Sequence, residues 1–333
     1  MPDEKDKNAN PSKNNPKRSK KPAKFIVNPF AKLTDEDLQR AAIAGQRHAE
    51  AQIENERAGI HRAYERTLVW ISRNGDVQRL PGARESDYES PRIAPDGRQV
   101  AVYSGGQIWL YDLARETLTR FTVEGKENNR PVWTPDGKRI AFCTGIEGSR
   151  NIFWQMADGS GGVERLTTGE HDNIPISFSP DGETLAFQES SMTGERRAWI
   201  LRIWILRLKD RKAQPFLTTQ VNQGTPQFSP DGRWLAYVSR ESGAGQQVFV
   251  QPYPVPGDKV QVSTYGGSEP AWNPNGRELF FRSGANEQEM TAVDVAAQPT
   301  FTAGHQGCSL RVNTSPPPIR CPITTSLATA NAS

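Results

Sequence analysis

The chain repeats one short phrase five times, and that repetition restricts the folds open to it more than any other feature. Ser90-Pro91-Arg92-Ile93-Ala94-Pro95-Asp96-Gly97 leads to the apolar run Val100-Ala101-Val102, and Arg130-Pro131-Val132-Trp133-Thr134-Pro135-Asp136-Gly137 to Ile140-Ala141-Phe142. Ile174-Pro175-Ile176-Ser177-Phe178-Ser179-Pro180-Asp181-Gly182 leads to Leu185-Ala186-Phe187. Thr225-Pro226-Gln227-Phe228-Ser229-Pro230-Asp231-Gly232 leads to Leu235-Ala236-Tyr237, and Glu269-Pro270-Ala271-Trp272-Asn273-Pro274-Asn275-Gly276 to Leu279-Phe280-Phe281. The repeated Asp or Asn recurs at intervals of 40, 45, 50 and 44 residues. That period belongs to folds built from one supersecondary unit per repeat.

Each part of the phrase has a mechanical reason. Pro fits the first corner of a tight turn, Asp tolerates the next, and Gly supplies the positive φ that closes the hairpin. The apolar run that follows is hydrophobic on both faces, as suits a strand in a sheet sandwiched between two others. A third strand follows, as in Gln107–Tyr111 or Asn151–Gln155, and a fourth, as in Leu118–Thr122 or Glu164–Thr168. Four strands per unit, packed radially, make an all-β propeller. Residues 68–80 offer two further strands with no Pro-Asp-Gly hairpin before them. Five units and this half-unit predict six blades, the first or last incomplete, with the closing strands drawn from the carboxy-terminal end.

These segments resemble the TolB-like propeller repeats, most closely the propeller found at the carboxy-terminal end of bacterial serine/threonine protein kinases. Thr67-Leu68-Val69-Trp70-Ile71-Ser72-Arg73-Asn74-Gly75 looks like the family's opening strand pair, and Pro226 to Tyr237 is close to its most typical segment. The resemblance covers residues 67 to about 304. It implies a six-bladed ring and, because the matching residues are turn and core residues, leaves the function open. The kinase catalytic domain is missing from this sequence: it has no His-Arg-Asp loop, no Asp-Phe-Gly and no Gly-rich phosphate loop.

Outside the repeats the sequence changes character. Residues 1–24 carry eight Lys or Arg against three acids, interrupted by Pro2, Pro11, Pro16 and Pro22; they read as a disordered basic tail. The tail therefore supplies the basic pI of about 8.7, while the other 309 residues sum to −2, so the folded body is not expected to bind nucleic acid. Residues 25–66 read as a helical segment. Its helix is expected over Thr34–Arg66, with Thr34 and Asp37 approximating a capping box and a thin stripe of Leu38, Ile43, Ile53, Ile60 and Tyr64. With no apolar run of about 18 residues, no membrane-spanning helix is expected. With no secretory leader pattern, the product reads as cytoplasmic, although relatives are periplasmic or membrane-attached.

Cys143, Cys308 and Cys321 are odd in number and far apart, which suggests neither a disulfide framework nor a zinc ribbon. His48, His61, His171 and His305 sit in unrelated contexts, so no metal or other cofactor is implied. Gly159-Ser160-Gly161-Gly162 lies between two strands instead of opening a helix and reads as a loop. The internally repeated Trp199-Ile200-Leu201-Arg202-Ile203-Trp204-Ile205-Leu206 reads as a local duplication in a third strand. Trp133, Phe178, Phe228 and Trp272 recur at one repeat position and read as blade-packing residues.

Propellers bind ligands around the mouth of the central channel, where the innermost strands begin. The residues expected there are Glu89, Asn129, Arg130, Asn173, Thr225 and Glu269. Two carboxylates among amides could hold a cation or the polar groups of a peptide; the alternative is an ordinary solvated rim. Two functions follow. One is a non-catalytic propeller that binds a protein or small ligand at its mouth, as a detached sensor region of a kinase would. The other is a propeller hydrolase or lactonase using a channel-mouth cation. It needs three or four convergent carboxylate, amide or His ligands, and the rim offers two carboxylates and no His. No Gly-x-Ser-x-Gly elbow is present for a peptidase. Binding is the reading favoured.

After Gly304 the blade pattern stops in a Ser/Thr/Pro/Ala-rich stretch, so residues 305–333 are expected to be unstructured. Shifted by one base, compatible codons can spell a strand-like segment and then a sixth Asp-Gly signature. The stretch therefore reads as a frameshifted tail, and the first and last blades are expected to expose apolar faces.

Overall fold

The computed structural model describes residues 24–26 and, apart from 73–75, 85, 126, 146–147, 194–197, 220, 242–244, 284–288 and 299, residues 66–311. Every described element is a strand, and no helix among the described residues is long and apolar enough to cross a membrane. The strands form six sheets. Of the helix expected over Thr34–Arg66, all but the last residue lies outside the described residues, and Arg66 opens a strand.

Five sheets are complete blades of four strands in chain order, innermost first. Ahead of them come β1 (Lys24–Ile26), β2 (Arg66–Ile71) and β3 (Val77–Arg79). The first blade is β4 (Glu89–Ile93), β5 (Gln99–Ser104), β6 (Gln107–Asp112) and β7 (Thr117–Arg120); the second is β8 (Asn129–Trp133), β9 (Arg139–Thr144), β10 (Asn151–Met156) and β11 (Glu164–Arg165). The third is β12 (Asp172–Phe178), β13 (Thr184–Thr193), β14 (Ala198–Arg207) and β15 (Lys212–Pro215). The fourth is β16 (Gln223–Phe228), β17 (Trp234–Ser239), β18 (Gln247–Pro252) and β19 (Val260–Gln261). The fifth is β20 (Ser268–Trp272), β21 (Glu278–Ser283), β22 (Glu289–Ala296) and β23 (Thr302–Arg311).

The repeated turn is held as its chemistry requires. In all five blades the Gly N–H donates to the carbonyl three residues back at 2.8–2.9 Å, with the Gly at φ between 69° and 73°. The hydroxyls of Thr134, Ser179 and Ser229 donate to the carboxylates of Asp136, Asp181 and Asp231 at 2.6, 2.5 and 2.6 Å. Those same carboxylates accept the backbone N–H two residues on, at 2.9–3.2 Å. Three groups in each of these turns are thereby satisfied without water.

The apolar runs divide their side chains between two neighbours. Ile140 and Phe142 pack with Ala101, Ile108 and Phe121 of the first blade, while Ala141 between them faces Leu185 and Phe187 of the third. Leu185 and Ala186 are shared out likewise between the second and fourth blades, and Leu235 and Ala236 between the third and fifth. The four recurring aromatics Trp133, Phe178, Phe228 and Trp272 are buried between sheets. Trp133 and Trp272 also donate their indole N–H to the inner strand of the preceding blade, at Arg92 O (3.0 Å) and Gln227 O (3.1 Å). The longest repeat interval reflects the third blade: β13 and β14 pair over ten residues, and the duplicated Trp199–Leu206 segment lies within β14.

The expected count of six blades is corrected to five. The remaining sector holds a three-stranded sheet in which β2 pairs antiparallel with β3 and parallel with β1. This small sheet fills the gap between the first and fifth blades. Leu68 and Leu80 pack with Tyr88, Ile93, Val100, Val102 and Tyr111 of the first blade, while Val69 and Ile71 pack with Ala271, Phe280 and Met290 of the fifth. The Tyr111 hydroxyl donates to the Pro81 carbonyl. Gly82, at φ +71°, brings the chain so close that a Cβ would lie 2.2 Å from Glu116 O, so only glycine fits there. The exposed apolar faces expected on the first and last blades are therefore not found, because alternate residues of β2 cover both. The boundary expected at Gly304 also moves. β23 continues to Arg311, with Gln306 opposite Val293 and Ser309 opposite Thr291. Backbone pairing needs no particular side chains, so a strand can run on into a sequence without apolar alternation. Residues 312–333 lie outside the described residues, as do residues 1–23.

Candidate functional site

The innermost strands begin with a shared irregularity. In the first, second, fourth and fifth blades the register slips across the repeated proline, between Glu89 and Arg92, Asn129 and Val132, Gly224 and Gln227, and Ser268 and Ala271. The residue before the proline is forced to positive φ: Ser90 at 48°, Arg130 at 55°, Thr225 at 48° and Glu269 at 50°. Proline has no N–H for the ladder, so a bulge there is cheap in hydrogen bonds. A left-handed conformation at four non-glycine residues is not cheap. In the third blade the slip falls later, between Pro175 and Ser177.

Three of the six expected mouth residues, Arg130, Thr225 and Glu269, occupy these strained positions. The others serve local structure. Asn129 accepts the Cys143 thiol at 2.6 Å, and burial pushes that thiol up to about 12. Asn173 is buried and donates to Asn151 Oδ1 (3.4 Å) and Thr167 Oγ1 (3.5 Å). Glu89 stands opposite Tyr103 in the ladder. The Tyr103 phenol is raised well above its ordinary range, first by burial and then by the charges of Glu127, Asp87 and Glu89. Asp87 is itself committed, accepting from Ser104 Oγ at 2.7 Å and from the Gly105 N–H at 3.0 Å.

Two arginines that the sequence pattern does not single out stand beside these positions. Arg92 lies two residues beyond Ser90 on β4, and Arg282 lies on β21 opposite Ser268. Arg282 is only 3% exposed, with Nη1 3.7 Å from the Glu269 carboxylate. The Arg92 guanidinium is held down to about 10, first by burial and then by the charge of Arg130, with Glu269 opposing. Arg92 on the first blade thus feels the charges of Arg130 on the second and Glu269 on the fifth. A guanidinium carried inward by a blade strand was the available signal. It was missed because Arg92 falls where the other repeats have Val132, Ile176, Gln227 and Ala271. On the far arc, Gln188 Oε1 accepts the Thr225 N–H at 3.3 Å, and Thr225 Oγ1 is buried with no hydrogen-bond partner.

Among the described residues, no three His, Cys, Asp or Glu side chains converge so as to hold a metal ion. The Gly159–Gly162 loop lies between β10 and β11, with the Ser160 N–H bonded to Asp158 at 2.8 Å.

Residues 77–200 match the family model described as the TolB beta propeller domain. Over that stretch the chain is similar to TolB-type propellers. The chain is 23% identical over 187 residues to the uncharacterized peptidase YuxL of Bacillus subtilis, and 29% identical over 204 residues to the uncharacterized protein Atu1656 of Agrobacterium fabrum. It is 34% identical over 107 residues to the Tol-Pal system protein TolB of Anaeromyxobacter dehalogenans. These stretches cover 44%, 57% and 30% of this chain, and 28%, 67% and 24% of the respective relatives. The chain thus spans only about a quarter of two of them. Among solved structures, the putative TolB from Agrobacterium tumefaciens superposes with a TM-score of 0.59 at 17% identity, covering 71% of this chain and 85% of that one. That likeness shows a shared propeller fold.

Proposed function

We propose that this chain is a non-catalytic binding propeller whose channel mouth receives a protein segment or small ligand. The observation that carries the reading is the ring of strained residues Ser90, Arg130, Thr225 and Glu269. Each costs about 1–2 kcal/mol against a relaxed strand, and such strain concentrates where a backbone is shaped to meet a partner. Its recurrence at one position around the ring supports a partner on the propeller axis. A detached sensor region of a serine/threonine kinase is the finer form of this reading, and it rests on the resemblance of the repeats.

The alternative is a hydrolase or lactonase built on a mouth cation. It is less well supported, because it needs convergent oxygen or nitrogen ligands and the arginines at this mouth would repel the ion. An immobilised panel of short peptides, probed with the full chain, tests the binding reading. Thr225→Trp, which puts bulk into the mouth, should abolish capture. Capture indifferent to that substitution would place binding elsewhere. In calorimetry with calcium chloride the binding reading expects no stoichiometric heat, and tight one-to-one binding would restore the enzyme.

A further inference from the structure

We propose that the part of the third blade that overhangs the mouth is a docking arm for an uncharged, apolar peptide segment in extended form, an inference that deepens the reading of the mouth as the binding face and rests on it.

The arm comes from unequal strand lengths. The second strands of the other four blades have six residues, whereas β13 has ten, and β14 pairs with it throughout. β12 begins at Asp172, opposite Ser190, so the pairs beyond Ser190 project past the start of the innermost strand, on the mouth side. The duplicated sequence decides what the arm carries. Trp199 and Trp204 are five residues apart, an odd spacing, so their side chains leave β14 on opposite faces. Trp204 stacks on Phe187, its ladder partner, with ring centroids 6.2 Å apart, against the core shared with the second blade. Trp199 is paired instead with Met192. With Leu201 it lies on the face where Ile203 and Ile205 meet the fourth blade. Met192 is 42% exposed, and Trp199 and Leu201 are half-buried. The Asn222 side chain closes the outer edge there, accepting the Leu201 N–H at 3.0 Å and donating to Trp199 O at 3.0 Å. The arm therefore offers a face and not an edge.

The occupant follows from what lies along this face. Gln188, Ser190 and Met192 share it by strand alternation, and hydrogen bonds tie the row to the mouth. Gln188 Oε1 accepts the Thr225 N–H at 3.3 Å, and Gln188 Nε2 donates to Ser190 Oγ at 3.2 Å. At the mouth end Thr225 Oγ1 is buried with no hydrogen-bond partner among the described residues. Gln188 and Met192 are four strand residues apart, a span of about 13 Å. An extended chain of a few residues reaches across it, and a compact small ligand does not. Thr225, Gln188, Ser190, Met192, Trp199 and Leu201 are all uncharged, so a charged segment would lose hydration there without gaining a partner. A peptide can give a backbone group to the Thr225 hydroxyl and lay an apolar side chain on Met192 and Trp199.

The test uses the full chain and three fluorescein-labelled hexapeptides that differ only in carrying Leu, Ala or Glu at two alternate positions, read by anisotropy. The Leu peptide should bind about tenfold more tightly than the Ala peptide, and the Glu peptide more weakly than either. Met192→Glu and Trp199→Ala should each remove the Leu advantage, and Trp199→Phe should keep part of it. Met192 is half-exposed, so its replacement leaves the fold intact, which far-ultraviolet circular dichroism checks. No binding of the Leu peptide at millimolar concentration, equal affinity for the Leu and Ala peptides, or displacement by cellotetraose more readily than by unlabelled Leu peptide would each overturn the inference. Binding that is lost in Thr225→Trp but unchanged in Met192→Glu and Trp199→Ala would sink the arm while leaving the mouth reading intact. Leu-peptide binding that the arm substitutions remove and Thr225→Trp does not touch would sink the mouth reading itself.

Discussion

Blades two to four and the small sheet β1–β3 solve the same packing problem with different means. In the regular blades the second strand carries a large-small-large triplet whose central alanine, Ala141, Ala186 or Ala236, faces the next sheet and is paired across the ladder with Trp154, Ile205 or Val250. Their turns stack too: a Cβ on Gly137, Gly182 or Gly232 would touch Pro95, Pro135 or Pro180 of the preceding blade at 3.4–3.6 Å. Where the fifth blade meets the small sheet the first device changes. Phe280 takes the alanine's place opposite Ala292, which moves the bulk one strand inward; the turn stacking already lapses one seam earlier, where Gly276 has nothing within 4 Å. A propeller can therefore close over an undersized sector if the neighbouring blade shifts its volume toward the axis.

The largest effect should come from the regular part. Phe142→Ala, which empties a site between the rings of Phe121 and Phe153, should cost about 3–5 kcal/mol in urea unfolding. Ile71→Ala in β2 should cost about 2–4 kcal/mol, because Ile71 is 2% exposed against the fifth blade. A loss below about 0.5 kcal/mol, the level of ordinary surface substitutions, would mean that the small sheet does not seal the ring. Next come the turn glycines. Gly232→Ala and Gly276→Ala share the left-handed penalty of about 1–2 kcal/mol, but only Gly232 has a proline against it. At 3.4 Å that proline is in ordinary contact with the new Cβ, so the two costs should be about equal, and an excess at Gly232 would show that the stacked turns are too tight to take a methyl group.

The smallest effect is electrostatic. The Thr134 hydroxyl, followed by the Lys138 N–H and nearby cations, holds the Asp136 carboxyl below its usual value. A depressed folded value gives stability that is present above the ordinary carboxylate pKa of about 4 and is lost as pH falls through the folded value. Because Asp136 is exposed, screening limits the gain to about a few tenths of a kcal/mol. Asp136→Asn should flatten the acid limb of the melting-temperature profile, and an unchanged limb would assign that limb to other carboxylates.

The regular blades were legible because their turns and triplets are local: Pro-Asp-Gly dictates its own hydrogen bonds, and Ile-Ala-Phe declares two buried faces. The closure was not, because β2 reads as a plain strand in either a half-blade or a seal. Which it becomes depends on Phe280 and Met290, about 200 residues away. The positive φ shared by Arg130, Thr225 and Glu269 follows their one position in the repeat. The pairing of Arg282 with Glu269 was not legible, because it depends on a register slip at Ser268–Ala271 that the sequence does not announce. The helix expected ahead of β2 lies outside the described residues.

A linear stack of repeats has two ends from which it can fray, whereas a ring has none, and separating any one blade must break two interfaces at once. In this ring the interfaces are unequal, since the seal rests on the few side chains of β2 and the short hairpin it makes with β3. Opening should therefore begin there. Amides of β2 and of the first and fifth blades would then exchange with solvent before those of the third, so that the molecule comes apart like a bracelet at its clasp.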